Sequence, residues 1–285
     1  MLAIGAQRYC DKTYFALPKI RMQVDEVKLK YWIDHFYGFG TWQANYWFIS
    51  HEEGGGNLPE DVAERINYFY DTKMTSESLC DIREFYKQIT FRREGPKAED
   101  FKNLFEYRFE KGAALNNIWK NLVAFRHGHE GKKLPDLLTY QRKYFATNHE
   151  ALIPLYPLPS PHNHAWYYSW LDVKDLPLLK SRSAYEDALY QSRIRKIFSN
   201  IIKYKPAVVL MYGMSNILSL KTSALDFFPK AKFKLGKAIK KKIPQHHRAD
   251  LDGTTLIITT QIPTLRHNRI ESGFEWEEFG KLVRS

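Results

Sequence analysis

Two nearly continuous apolar or β-branched stretches, residues 207–212 (AVVLMY) and 254–260 (TTLIITT), constrain the fold most. Neither alternates polar with apolar residues, so a strand built from either is buried on both faces. Such strands need a sheet covered on both sides, and parallel sheets meet that need. Residues 46–50 (YWFIS) read the same way, and a weaker strand is expected around 144–147. Apolar spacings of three and four predict helices over 59–69, 76–89, 98–109, 116–125, 185–202 and 275–283. The first of these opens with Pro59, Glu60 and Asp61, a combination that suits a helix N-terminus. Strands separated by helices give an α/β fold. The expectation is a three-layer α/β/α domain over 1–285 with a central four-stranded parallel sheet. Residues 70–140 would be a helical insertion in it or, alternatively, a small helical domain. Residues 156–164 (YPLPSPHNH) read as a proline-rich loop.

Composition narrows the function classes. No apolar run approaches the length of a membrane span, about 18 residues. The first residues lack the pattern of a secretory signal. Cys10 and Cys80 have no metal-ligand spacing and read as free thiols of a reducing compartment. A cytoplasmic monomer without membrane contact is the expectation. The chain carries 43 Lys+Arg against 32 Asp+Glu, a net charge of +11, and 15% aromatic residues. Cations neutralise phosphates and aromatic faces stack on unpaired bases, so this balance suits nucleic acid. The charge is concentrated: residues 230–248 hold seven lysines and one arginine and no acid. Phe233, Leu235 and Ile239 interleave with those lysines, which points to an ordered segment presenting Lys240, Lys241 and Lys242 to phosphates.

Ligands of parallel sheets bind beyond the carboxyl ends of the strands. After 46–50 comes His51-Glu52-Glu53-Gly54-Gly55-Gly56. The glycines allow close backbone approach, and the acids bring carboxylates for polarising water or facing a developing cation. Tight turns use glycine triplets too. Asn148, after the expected second strand, offers an amide to a base edge or caps a turn. Gly213 closes the third strand as an ordinary turn. After the fourth strand, Pro263, Thr264, Leu265, Arg266 and Arg269 form a loop that could press on a duplex, the leucine entering the base stack and the arginines holding phosphates. An ordinary surface loop has the same composition. The paired histidines His127/His129 and His246/His247 lack carboxylate or cysteine partners, so neither metal nor cofactor is expected.

In order and spacing, "WFISHEEGGG", "FATNHEALIPLYPLP", "PAVVLMYGMSN", "TTQIPTLRHNR" and "GFEWEEFGKLV" resemble the uracil-DNA glycosylase superfamily over residues 40–66 and 140–285. The resemblance implies a DNA glycosylase that binds double-stranded DNA, flips a nucleotide out and hydrolyses its N-glycosidic bond. It makes Glu52 the first candidate for activating water, with Glu53 and His51 beside it. Asn148, Gly54, Gly55 and Phe48 would contact the base; Thr264, Leu265, Arg266, Arg269 and Lys240–Lys242 would contact DNA. The chain departs from the pattern in two places. Ile262 stands where the family's catalytic histidine is usual, and Gly54 replaces the tyrosine that rejects 5-substituted pyrimidines. The second departure fits the phage-defence branch that acts on hypermodified cytosine such as glucosylated 5-hydroxymethylcytosine. The first leaves open a DNA-binding protein without chemistry; a uracil-excising repair enzyme is a further alternative. Another α/β hydrolase or transferase acting on nucleotides also stays open, although no Gly-Lys-Ser/Thr follows the glycines.

Overall fold

The computed structural model describes residues 24–55, 59–92, 101–160, 166–171, 173–239, 242–264 and 273–284. Six strands form one sheet: β1 (Tyr46–Gly54), β2 (Glu150–Ser160), β3 (Val208–Tyr212), β4 (Lys234–Gly236), β5 (His246–Leu251) and β6 (Thr254–Ile258). Their order is β2-β1-β3-β6-β5-β4. The four strands β2, β1, β3 and β6 run parallel. The other two extend the sheet antiparallel, so the expectation of a four-stranded parallel sheet is corrected to a six-stranded mixed one. The extension joins the parallel strands by a hairpin from β5 to β6 that turns through Asp252 and Gly253, both at positive φ (53° and 99°). Asp-Gly at a two-residue turn is a strong local hairpin signal, because its twist matches that of the strands it joins.

The second strand differs from expectation. Tyr144 caps a helix, and Ala146 adopts a positive φ of 54°, so residues 144–147 form no strand. The strand is instead Glu150–Ser160, through the prolines at 154, 157 and 159. Prolines cannot donate to a ladder and are therefore confined to edge positions, and β2 is the edge of this sheet. Arg193 covers two of its carbonyls, donating to those of Pro154 (2.7 Å) and Leu155 (2.9 Å), and also donates to the Phe36 carbonyl outside the strand (2.6 Å). The residues expected to be a proline-rich loop thus begin as strand, and 161–165 lie outside the described residues.

Nine helices surround the sheet among the described residues: α1 (Glu26–His35), α2 (Pro59–Asp71), α3 (Ile82–Lys87), α4 (Leu104–Phe109), α5 (Asn117–Glu130), α6 (Leu137–Lys143), α7 (Arg182–Tyr204), α8 (Ile217–Phe227) and α9 (Trp276–Arg284). The region between β1 and β2 is helical as expected, although α3 and α4 are shorter than their apolar spacing suggested. Strand alternation sorts side chains onto two faces. Trp47, Ile49, Val209, Met211, Leu256 and Ile258 join one core with Trp32 of α1, Ile66 of α2 and Ile197 of α7. Tyr46, Phe48, Val208, Leu210 and Ile257 join a second core with Phe125 of α5 and Phe279 of α9. The α5–α9 contact is close because both helices carry glycine there: a Cβ on Gly280 would lie 2.0 Å from the Phe125 carbonyl oxygen. With both faces covered, the open ground for a ligand is the carboxyl edge of the parallel strands. No helix among the described residues is long and apolar enough to cross a membrane.

Candidate active site

β1 emerges from the sheet at His51, and its pairing with β2 shifts register between Glu52 and Gly54. That irregularity disturbs strict alternation, and the three polar side chains turn to two helices, Glu53 to α2 and both His51 and Glu52 to α7. Glu53 accepts from Arg65 of α2, whose side chain is almost wholly buried. Glu52, with a side chain 7% exposed, accepts from Arg182 at the start of α7. Arg182 also donates to Ser160 Oγ at the end of β2 (2.8 Å) and lies over the Trp166 ring, 5.1 Å from its centroid. His51 Nε2 is 3.1 Å from Glu186 Oε1, and its ring meets Tyr156 of β2 edge to face at 5.0 Å. Ser181 caps α7 through the amide of Ala184, which places Arg182 and Glu186 one turn apart on one side of the helix.

Burial pushes the Glu52 carboxyl above its ordinary range; Arg182 and His51 pull the other way, and Glu186 adds to the rise. Burial likewise raises Tyr156 and Tyr168, which stay neutral. His51 Nδ1, Glu53 Oε2 and Arg65 Nε are sealed from solvent without a hydrogen-bond partner among the described residues. A buried polar atom left unpaired costs about 1–3 kcal/mol. The cluster is therefore incomplete as it stands. Ligand atoms of His51, Glu52 and Glu186 lie within 4.8 Å of one another, a spacing compatible with a cation. Arg182 already supplies the positive charge at Glu52.

Other expected residues divide between this edge and elsewhere. Gly54 ends β1 where an added Cβ would meet nothing within 4 Å among the described residues. Gly55 has φ +125°, a backbone that favours glycine. Phe48 is not at the site: it is buried in the second core against Phe125, because β1 is flanked by strands and covered on both faces. Asn148 precedes β2 instead of ending it and is exposed at the amino edge. The register Tyr46↔Glu150 and Glu52↔Tyr156 puts about 20 Å of strand between the two edges at about 3.3 Å per residue. Asn148 therefore does not converge with Glu52. Amides that do sit at the carboxyl edge are Asn216, at the start of α8, and Gln261, whose carbonyl accepts from Gly213 N (3.1 Å). Asn216 Oδ1 is sealed and without a partner among the described residues.

β6 leaves the sheet at that same edge. The Pro263 carbonyl accepts from Asn121 Nδ2 (3.0 Å), Thr264 follows half-buried, and Ile262 is 48% exposed. Leu265, Arg266, Arg269, Lys240 and Lys241 lie outside the described residues. Lys242 is exposed just before β5, and its carbonyl accepts from Glu275 N (2.9 Å). Since β5 starts opposite Ile258, Lys237 and Lys242 share the carboxyl edge with Glu52. Strand order places them about three to four strand spacings away, about 14–19 Å. The histidine pairs serve the scaffold: His129 Nδ1 meets Tyr46 OH (2.9 Å), His127 Nδ1 meets the Lys133 carbonyl (3.0 Å), and His246 Nδ1 meets the Pro244 carbonyl (2.9 Å).

Sequence reasoning singled out the acids and the Trp166–Trp170 stretch but not Arg182, Glu186 and Ser160. The signal for two of them was an Arg-Glu pair four apart at the start of a long amphipathic helix. The fold and site define an α/β protein with a buried, acid-centred polar cluster at the carboxyl edge of a mixed sheet. Comparison with protein-family models and with curated proteins finds no match to the chain.

Proposed function

We propose that this chain is a monofunctional DNA glycosylase that hydrolyses the N-glycosidic bond of a modified pyrimidine and leaves an abasic site. The observation that carries the reading is the position of Glu52: a largely buried carboxyl, raised by that burial and drawn back towards ionisation by Arg182, on the edge that also carries exposed lysines. As the glycosidic bond breaks, positive charge grows on the sugar. A carboxylate fixed in a dry site stabilises that charge without reorganisation, an effect worth about 3–4 kcal/mol of barrier. Lys237 and Lys242 would hold phosphates while the nucleotide turns out of the stack, and the exposed Ile262 suits the space it leaves. The open side of Gly54 favours a substrate with a bulky 5-substituent, such as glucosylated 5-hydroxymethylcytosine. Base reading passes from Asn148 to an amide of the carboxyl edge, Asn216 or Gln261.

A second reading, a DNA-binding protein without chemistry, is favoured by one observation: Arg182 pairs with Glu52. Mass spectrometry of bases released from glucosylated, uracil-containing and unmodified DNA separates the two. Release of a base supports the glycosylase. Tight duplex binding with no base released from any of the three supports the binding protein.

A further inference from the structure

We propose that β4 docks an extended acidic segment of a partner protein, which adds to the sheet as a further strand. The chain closes the other edge of the sheet itself: Phe39 and Leu152 of β2 exchange both backbone hydrogen bonds, at 2.9 Å each. β4 is the last strand on the opposite side, and no backbone group among the described residues pairs with its outer edge. The ladder fixes which groups face outward. The Asp252-Gly253 turn makes Leu251↔Thr254 a hydrogen-bonded pair. Antiparallel alternation then aims the backbone of His247 at β6 and that of His246 and Arg248 at β4. Their partners there are Gly236 and Lys234, so Leu235 between them turns its N–H and its C=O outward. The Leu235 side chain lies on the face of His247 and is 53% exposed. Lys234 stands on the other face, and Lys230, Lys232, Lys234 and Lys237 are all exposed.

These features select one occupant. Short length and lysines guard an edge against neutral strands. A second copy of this chain would set lysines against lysines, because residues 230–248 contain no acid. A nucleic acid would neutralise the lysines but leave the Leu235 amide, carbonyl and side chain in water. A segment that alternates acidic with apolar residues answers every group. Its backbone pairs with Leu235, its acids meet the lysines on one face, and an apolar residue covers the Leu235 side chain on the other. Docking here does not depend on excision, so the two stand or fall separately.

The probe is a short capped peptide alternating glutamate with valine, read by fluorescence anisotropy against the full chain. Binding is expected, weaker as salt rises, and hydrogen exchange at the Leu235 amide should slow in the complex. Leu235→Pro removes the outward N–H and the exposed side chain, a change that an edge strand tolerates. It should weaken the peptide about tenfold, with duplex DNA binding unchanged. Lys232→Glu together with Lys234→Glu should also weaken it about tenfold and should gain a peptide alternating lysine with valine. No binding of the glutamate peptide, or wild-type affinity in both variants, would overturn the docking role. Binding that leaves the Leu235 amide exchanging at its unbound rate and yields to duplex DNA would overturn it in favour of a nucleic-acid surface. Self-association of the wild type that slows the same amide would overturn it in favour of a second copy of the chain.

Discussion

The sheet carries a buried glutamate–arginine pair at each of its edges, and the two are built differently. At the amino edge Glu150 is wholly buried and accepts from Tyr140 OH (2.7 Å) and Ala146 N (3.3 Å), with Arg126 Nε at 2.9 Å. Arg126 in turn reaches Tyr140 OH, His127 and Glu130. That network ties α5 and α6 to the start of β2 with both carboxylate oxygens engaged. At the carboxyl edge Glu52 leans on Arg182, and His51 Nδ1, Glu53 Oε2 and Arg65 Nε are sealed without a hydrogen bond among the described residues; the two amino-edge atoms that also lack one, Arg126 Nε and Glu130 Oε2, are each held in an ion pair at 2.9 Å. A satisfied polar network rigidifies a fold, whereas unsatisfied buried groups gather where a ligand completes them. We take the first pair as structural and propose the second as the place for chemistry.

Substitutions can break that contrast. Glu150→Ala strands a buried arginine and should cost about 3–5 kcal/mol in chemical denaturation. Excision per folded molecule should be unchanged; a stable Glu150→Ala protein would dissolve the distinction. Glu52→Gln should do the reverse, cutting excision about a hundredfold while the denaturation midpoint holds or rises. The pH dependence sharpens this. Because burial raises the Glu52 carboxyl, its proton is bound more tightly in the folded chain, so this group favours folding at low pH. That contribution is lost as pH climbs from the ordinary carboxyl range through the raised value. The difference in stability between Glu52→Gln and wild type should therefore move in favour of the variant over that interval, and a difference that moves the other way would refute the assignment. Replacing Lys237 and Lys242 together by alanine should lower the salt dependence of DNA binding by about two in the log–log slope, about 0.9 per phosphate contact. The smallest effect expected is that of Asn148→Ala at the amino edge, which should leave both excision and DNA affinity within about twofold.

The parts of this molecule that were legible in its sequence are those set by local pattern. β3 and β6 declare themselves through uninterrupted apolar runs, and α2, α5, α7 and α9 through apolar spacing and capping residues. β2 was hidden because three prolines argue against a strand unless its edge position is known. The error moved Asn148 to the wrong edge and so removed one leg of the expected convergence. β4 and β5 were obscured by the lysines that dominate residues 230–248, although Asp252-Gly253 marked the hairpin turn from β5 to β6. The polar run His51-Glu52-Glu53 was visible as a motif, but its partners were not. Arg182 lies 130 residues from Glu52 and Glu186 lies 135 from His51, and only the packing of α7 against β2 brings them together.

Single-turnover assay of wild type and Glu52→Gln on duplex DNA containing glucosylated 5-hydroxymethylcytosine, with binding matched, bears most directly on whether the carboxyl edge is a catalytic centre. Abasic sites formed by the wild type and reduced about a hundredfold in the variant are the expected outcome. Equal rates in the two proteins, or no abasic sites from the wild type on this or any other modified DNA, would contradict it.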